Sequence, residues 1–387
     1  MTGRALVGAA RSQDLRRLWV PPARSVARGV VYLRTHGWAD HSRLLAVGER
    51  TGWSVDEDAR RLEAAARRAG FEVAPARWAR FVDRQSVFLT SHFEALQERW
   101  LESTHRLGTA YLHGRPGTPG YPEFDAAFDA LRRHVERFDR IQVTHAEMHD
   151  LVLSAGVEPS RVFRIPIGID LEHFPLGNPE ARTHARAELE IPDSAFVVGS
   201  FQKDGVGWEE GLEPKLVKGP DVLVAALARV KTDAPELFVL LTGPARGYVR
   251  RKLDRLAIPC VHVRAKDRPE LARAYHALDV YVVPSRQEGG PKAVLEAMAT
   301  GTPLVTTSVG QVTEIASPGV DALVVDVEDA EGLAAKALRL RDDATLRSGL
   351  TLAARGVAER YDYGLLDGAW GELLGGLVDR RERGDGR

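Results

Sequence analysis

The sequence predicts an α/β protein built from two Rossmann-like, doubly wound parallel-sheet domains that face each other across a cleft. Short apolar runs alternate with helical segments along most of the chain, and this alternation is interrupted once, by a Pro-rich and charged stretch at 171–190. Continuous apolar strands separated by helices are typical of parallel sheets that are covered on both faces. The single interruption indicates two such units joined by an interdomain linker.

The first unit is predicted to span 44–170, after an N-terminal extension (1–43) of uncertain structure. Its strands include "RLLAVG", "SVFLTSH", "GTAYLHG" and "RIQVTH". Its first helix, "SVDEDARRLEAAARRAG", begins with a capping box of Ser54 and Glu57 and ends at Gly70. The acidic run 56–58 sits in the first turn, where the helix dipole favours carboxylates, so a structural role is preferred over a metal site.

The second unit, 191–360, repeats the pattern with strands such as "AFVVGS", "ELFVLLTG", "VYVVPS" and "PLVTTS". A C-terminal helix and a polar tail, 361–387, follow. Ligands of such sheets bind beyond the carboxyl ends of the strands, so two facing sheets predict a substrate cleft.

The composition narrows the function classes. The chain has 387 residues, a formal net charge of −1 and 28% charged residues, which argues against a nucleic-acid partner. Cys260 is the only cysteine, so an intramolecular disulfide is excluded and a packed thiol in a reducing cytoplasm is expected. We see neither an apolar run of about 20 residues nor a signal-peptide core, and we expect a cytoplasmic protein.

The stretch "PSRQEGGPKAVLEAMATG" (284–301) points to a phosphate site where a strand passes into a helix. Pro291 suits the first turn of that helix. Gly289 and Gly290 allow a ligand to approach the backbone. The N–H groups of Lys292 and Ala293, together with the helix dipole, favour a phosphate.

Two glutamates complete this stretch. Glu288 lies in the loop, and Glu296 lies inside the helix, where it would repel a phosphate but could accept hydrogen bonds from the hydroxyls of a ribose. A diphosphate site, a ribose carboxylate and a second carboxylate for a sugar together indicate a nucleotide-sugar. The alternative is a capped helix with solvated charges.

The segment "EGGPKAVLEAMATGTPLV" resembles the glutamate-x7-glutamate signature of retaining GT-B glycosyltransferases, glycosyltransferase family 4 (group 1). "GVEPSRVFRIPIGIDLEHF" is similar to the interdomain segment of that family, and "KGPDVLVAALARV" to the helix after its phosphate-binding lysine. The resemblance is strong over about 160–360 and weak before residue 80. It implies that Glu296 holds the ribose, Glu288 the transferred sugar and Lys218 the donor phosphates.

The family usually has an arginine soon after the first donor-domain strand, and this sequence has none there. Lys203 is the nearest substitute, with Lys215 behind it. On the acceptor side, the resemblance implies a histidine at the reacting sugar: His113 is the first candidate, with His92 and His145 as alternatives. Gly52 stands where relatives have a glycine-rich loop that contacts phosphate or acceptor.

The resemblance therefore predicts a retaining glycosyltransferase that moves a sugar from a nucleoside diphosphate to a glycan, lipid or small-molecule hydroxyl. It needs no metal or other cofactor, and a lipid or nascent glycan acceptor would imply peripheral contact with the inner membrane face. The alternatives are a non-catalytic nucleotide-sugar-binding protein and another GT-B enzyme such as an epimerase.

Overall fold

The computed structural model describes residues 40–48, 54–80 and 82–380. Most of the predicted extension (1–43) and the tail beyond 380 lie outside the described residues. The first strand begins at Asp40, a few residues before the predicted end of the extension.

The N-terminal domain contains a six-stranded parallel sheet with the order β2-β1-β3-β4-β5-β6. Its strands are β1 (Asp40–Val47), β2 (Glu72–Val73), β3 (Gln85–Leu89), β4 (Arg106–Ala110), β5 (Phe138–Val143) and β6 (Val162–Arg164). The residues of β3 and β4 are buried apart from Arg106, and so is the apolar second half of β1 (44–47), as expected for strands covered on both faces.

Helices cover both faces of this sheet. They are α1 (Ser54–Arg68), α2 (His92–Ala95), α3 (Glu98–Leu101), α4 (Pro122–Arg133) and α5 (Ala146–Ser154). The segment "HFEALQERWLE" forms two short helices because the chain is extended at Gln97, where ψ is 143°. Helix α1 buries Leu62 and Ala66 against Leu44 of β1, which fixes the helix over the edge of the cleft.

The C-terminal domain contains a second parallel sheet, with the order β12-β11-β10-β7-β8-β9. Its strands are β7 (Phe196–Ser200), β8 (Leu237–Thr242), β9 (Cys260–Val263), β10 (Val280–Val283), β11 (Leu304–Thr307) and β12 (Leu323–Val325). The strand order reverses between β7 and β10, and this reversal defines the point where such sheets bind ligands.

The helices of this domain include one inside the predicted linker. They are α6 (Pro179–Glu188), α7 (Pro220–Asp233), α8 (Gly247–Arg255), α9 (Arg268–His276), α10 (Lys292–Thr300), α11 (Val312–Ile315), α12 (Ala330–Asp342) and α13 (Ala344–Arg360). Helix α6 lies within 171–190. Its buried Arg186 binds the carboxylate of Asp279 at 2.7 Å, so this part of the stretch belongs to the C-terminal domain.

The chain then crosses back to the N-terminal domain. Helix α14 (Asp367–Gly375) packs on α1, and Leu373, Leu374 and Leu377 join the core beneath β1 and β3. This second crossing lies beside the first, since the N–H of Ile169 donates to Tyr361 O at 2.9 Å and that of Tyr363 to Ile169 O at 3.0 Å. No helix in the described part of the chain is long and apolar enough to cross a membrane.

Candidate active site

The loops that follow β7 and β10 meet at the reversal in strand order. There the Nζ of Lys218 lies 2.6 Å from Oε2 of Glu288. The Oγ of Ser285 donates to the other carboxylate oxygen at 2.8 Å, so both oxygens of Glu288 have partners. The side chain of Glu288 is 8% exposed, and the pair is therefore largely shielded from water.

Local backbone geometry brings Lys218 to this place. The next residue, Gly219, has φ of +62°, and a Cβ there would lie 2.0 Å from the carbonyl oxygen of Pro284. Only glycine fits both the left-handed conformation and this close approach. The Nε2 of Gln202 also donates to the Lys218 carbonyl at 2.7 Å, which ties the end of β7 to the lysine loop.

Two further lysines lie near Lys218, and they differ in their surroundings. The ammonium of Lys203 donates to the Gly205 carbonyl at 3.1 Å and lies 4.7 Å from the ring centre of Trp208. Lys215 has neither an ion pair nor a side-chain hydrogen bond within the described residues. Burial, reinforced by Lys218 and Lys203, lowers the pKa of Lys215 to about 8.

Glu296 lies on α10, half-buried. One of its carboxylate oxygens accepts a hydrogen bond from the Tyr275 hydroxyl at 2.9 Å. Burial raises the pKa of Glu296 above its usual range, although Tyr275 and the charges of Arg268 and Lys292 act in the opposite direction. A half-buried carboxylate of this kind suits neutral hydroxyl donors better than a second anion.

The structure places His113 opposite the lysines, on the loop that follows β4. Burial, together with the charges of Lys218 and Lys215, lowers the pKa of His113 to about 3, so the imidazole is neutral at physiological pH. Its ring lies 5.8 Å from the rings of both Phe93 and Phe124. The lysines that act on His113 belong to the other domain, so this imidazole lies within their electrostatic influence across the cleft.

His92 and His145 are more enclosed. The ring of His92 stacks on Tyr111 at 4.0 Å, burial holds its pKa well below the usual value, and its Nε2 has no hydrogen-bond partner within the described residues. His145 is 2% exposed, and its Nδ1 is 2.9 Å from the Thr144 hydroxyl.

The glycines of the signature are pressed against the N-terminal domain. A Cβ on Gly289 would lie 2.4 Å from the carbonyl oxygen of Leu112, and one on Gly290 would lie 2.5 Å from Ile167 Cγ1. The facing domain thus makes the close approach that these glycines allow. The sequence did not reveal this reason for having glycine at both positions. Their contact with a ligand stays a prediction.

The remaining residues of the signature begin α10. Pro291 directly precedes the helix, which starts at Lys292 and carries Ala293 in its first turn. The Nζ of Lys292 is 2.5 Å from Asp58 Oδ1 on α1, so one of the acidic residues of 56–58 bridges the two domains. Gly52 lies outside the described residues.

Several residues of the cleft were not singled out by the sequence. The Gln287 side-chain oxygen accepts from the N–H groups of Gly114 and Arg115 at 3.1 and 3.2 Å. The Tyr121 hydroxyl accepts from the N–H of Val217 at 3.0 Å. Gln311 binds Ile167 N–H at 2.8 Å. Each contact joins the two domains, and none follows from a motif.

A metal-binding cluster is not evident in the parts of the chain that the structure describes: no group of three or more His, Cys, Asp or Glu side chains there could hold an ion. The positive groups near Glu288 are lysines and the N-terminus of α10.

This geometry defines a two-domain protein with a cleft lined by lysines and shielded carboxylates, and known proteins share its two-domain fold. Residues 211–343 match the family model described as "Glycosyl transferases group 1". The chain is 31% identical over 271 residues to a D-inositol 3-phosphate glycosyltransferase of Xylanimonas cellulosilytica, covering 67% of this chain and 58% of that protein. It is 33% identical over 277 residues to the enzyme of the same name from Corynebacterium urealyticum, covering 68% and 63%.

The chain thus spans less than two thirds of the length of these relatives. The predicted resemblance to group 1 glycosyltransferases is supported, and the narrower assignment to a retaining family 4 enzyme stays a prediction.

Solved structures confirm the fold. Anabaena HepE in complex with UDP and glucose superposes with a TM-score of 0.69 at 15% identity, over 87% of this chain and 100% of that chain. Sucrose-phosphate synthase from Thermosynechococcus elongatus gives 0.67 at 18% identity, over 86% and 97%. The two-domain, doubly wound GT-B fold predicted from the sequence is therefore the fold of this chain.

Proposed function

We propose that this chain is a retaining glycosyltransferase that transfers a sugar from a nucleoside diphosphate to an acceptor hydroxyl. The observation that carries the proposal is the pairing of Lys218 with Glu288 at the switch point of the C-terminal sheet. The half-buried carboxylate of Glu296 lies on the helix that follows Glu288, and the charges of Lys218 and Lys215 act on His113 of the other domain. The match of 211–343 to group 1 glycosyltransferases supports the same reaction class.

The donor would bind along the C-terminal domain. Lys218 and the N-terminus of α10 would neutralise the diphosphate, and Glu296 would accept hydrogen bonds from the ribose. Lys215 is better suited than Lys203 to be the second phosphate cation, because Lys203 already contacts Gly205 and Trp208. A half-buried ammonium that forms no ion pair with the described residues gains most when a phosphate arrives.

Retention would follow a front-face course. The departing diphosphate would take the acceptor proton, while Lys218 and the helix terminus stabilise the charge that develops on the leaving oxygen. Glu288 would turn from Lys218 toward the transferred sugar as the phosphates bind that lysine. Neutral His113 could hydrogen-bond a sugar hydroxyl without adding charge. No metal takes part in this scheme.

The acceptor belongs to the facing domain. The relatives are named as D-inositol 3-phosphate glycosyltransferases, which makes a small phosphorylated polyol one candidate acceptor beside glycans and lipids. The half-buried rings of Phe93 and Tyr121, which pack on buried Phe124 beside His113, offer apolar surface for a sugar ring. Biosynthesis of a polysaccharide or glycoconjugate at the inner membrane face would fit such acceptors.

The test is thermal stabilisation by a panel of UDP-, GDP- and ADP-sugars, followed by a transfer assay with the donor that binds. A ligand at about 100 times its Kd should stabilise the protein by about 2.7 kcal/mol. Glu296→Ala should abolish that shift, whereas Glu331→Ala, an exposed carboxylate at the start of α12, should retain it. Stabilisation without transfer to any acceptor would favour the non-catalytic binding protein, and no stabilisation would refute the donor site.

A further inference from the structure

A cavity of about 410 Å³ lies at the carboxyl ends of β8 and β9. Its charged lining consists of Arg246, Arg250, Arg264 and Glu210, with the imidazole of His262 between them. This arginine cavity does not include Lys218, Glu288 or Glu296.

The charges around the cavity are unequally matched. Arg246 is buried and lies 3.0 Å from the buried carboxylate of Asp204, so this pair is internally balanced. Glu210 is shared with Arg251 at 3.6 Å. Arg250 and Arg264 have no carboxylate partner within the described residues, and they leave the cavity with excess positive charge.

The buried arginine also has spare hydrogen-bonding capacity. One guanidinium nitrogen of Arg246 donates to the carbonyls of Ser200 and Thr242 at 2.5 and 2.9 Å, which fixes the group at the cavity wall. Its Nε is buried and has no partner among the residues that the structure describes. Buried donors without partners are uncommon in folded proteins, and this one belongs to a guanidinium group that lines the cavity.

His262 does not supply charge of its own. Burial lowers its pKa, the three arginines lower it further, and its Nε2 donates to the Gly243 carbonyl at 2.7 Å. The positive character of the cavity therefore comes from guanidinium groups, whose planar fork matches a phosphate with two parallel hydrogen bonds.

We propose that the arginine cavity binds a phosphate ester at a subsite separate from the Lys218 site. Strands β8 and β9 are the first and second neighbours of β7 in the sheet. At about 4.8 Å per strand, the cavity lies about 5–10 Å from the end of β7. A nucleotide held by Lys218 could reach it with an additional phosphate, or a separate phosphorylated molecule could occupy it.

Binding of inorganic phosphate to the full chain, measured by calorimetry at constant ionic strength, tests the proposal. The double variant Arg250→Gln/Arg264→Gln should bind phosphate at least about tenfold more weakly, because two charge-assisted contacts are lost. Arg255→Gln, in the last turn of the same helix and outside the cavity, should bind like the wild type. The exposed positions of Arg250 and Arg264 allow the double variant to fold, and its thermal unfolding verifies this.

Two results would overturn the proposal: wild-type affinity in the double variant, or loss of all phosphate binding in Lys218→Met. Loss of binding in Lys218→Met would assign the bound phosphate to the donor site. Both results can be read from phosphate binding alone, whether or not the protein transfers a sugar. A repeat with saturating UDP distinguishes the sources. Competition would indicate a phosphate carried by the nucleotide, and simultaneous binding a separate phosphorylated molecule.

Discussion

The ammonium of Lys218 and the carboxylate of Glu288 are 2.6 Å apart, so two groups assigned to different parts of a donor neutralise each other in the structure. Both side chains are largely shielded from water. Removal of one partner from such a pair leaves an uncompensated charge, which costs more than removal of both. Each member of the pair is therefore needed to compensate the charge of the other in the folded protein.

We expect Lys218→Met to lower the free energy of unfolding by about 3 kcal/mol, and the double variant Lys218→Met/Glu288→Gln to recover part of that loss. Urea denaturation of the wild type, the two single variants Lys218→Met and Glu288→Gln, and the double variant gives the four free energies of unfolding of this double-mutant cycle. Lys266→Met, which changes an exposed lysine of the same domain, should stay within about 0.5 kcal/mol of the wild type. Strictly additive losses would show that the two side chains are not coupled.

Lys215 predicts a pH-dependent affinity for nucleotides. Its pKa is lowered to about 8, so the free protein loses this charge as the pH rises through 8. The affinity for UDP should therefore fall above pH 8, by up to about tenfold per pH unit. Calorimetric titrations between pH 7 and pH 9.5 measure this.

Two variants of Lys215 test whether this lysine causes the decline in affinity. Lys215→Arg keeps its charge and should remove the decline, whereas Lys215→Met should bind weakly at every pH. The same decline in Lys215→Arg as in the wild type would assign the titration to another group.

His113 predicts a loss of stability in acid. Its folded pKa of about 3 lies below the value of about 6.5 in the unfolded chain, so the unfolded state binds more protons between these limits. Stability must fall as the pH decreases through this window. We expect about 1 kcal/mol more loss between pH 6.5 and 5.5 in the wild type than in His113→Asn. Equal losses in urea denaturation would indicate an imidazole that protonates normally in the folded protein.

A side chain at position 289 should push the two domains apart. A Cβ at this position would lie 2.4 Å from the Leu112 carbonyl oxygen, so Gly289→Ala must displace one of the two loops. We expect at least about tenfold lower kcat/KM for transfer and a stability loss of about 1–3 kcal/mol. Gly349→Ala is the control, because its Cβ would meet nothing within 4 Å and a helix prefers alanine. Similar behaviour of the two variants would contradict the close interdomain contact.

The sequence predicted most of the fold because its strands are strong local signals. Apolar runs such as "VYVVPS" and "ELFVLLTG" end at Pro, Ser or Gly, and each forms a buried strand with a neighbouring partner. Helix α6 was hidden in the predicted linker because its sequence, "PEARTHARAE", is mostly polar. Its position depends on the ion pair of Arg186 with Asp279, a contact 93 residues apart.

The candidate site was predictable where residues share a motif. Glu288 follows β10, Glu296 lies inside α10 and Lys218 precedes α7, and the topology then brings Lys218 to Glu288. Gln287, Tyr121 and Thr144 carry no such signal, since each acts through hydrogen bonds to backbone groups of the other domain. The choice between Lys203 and Lys215 likewise depends on the fold of 201–216, which no pattern specifies.

The two chain crossings near Ile169 and Tyr361 have a mechanical consequence. Because they are hydrogen-bonded to each other, the halves of the molecule are joined by a paired tether instead of a single flexible strand. A paired tether resists twisting and sliding, and it leaves rotation about one local axis as the easiest relative motion. Displacement then grows with distance from that axis, so the rim farthest from Ile169 is the natural entrance for large molecules.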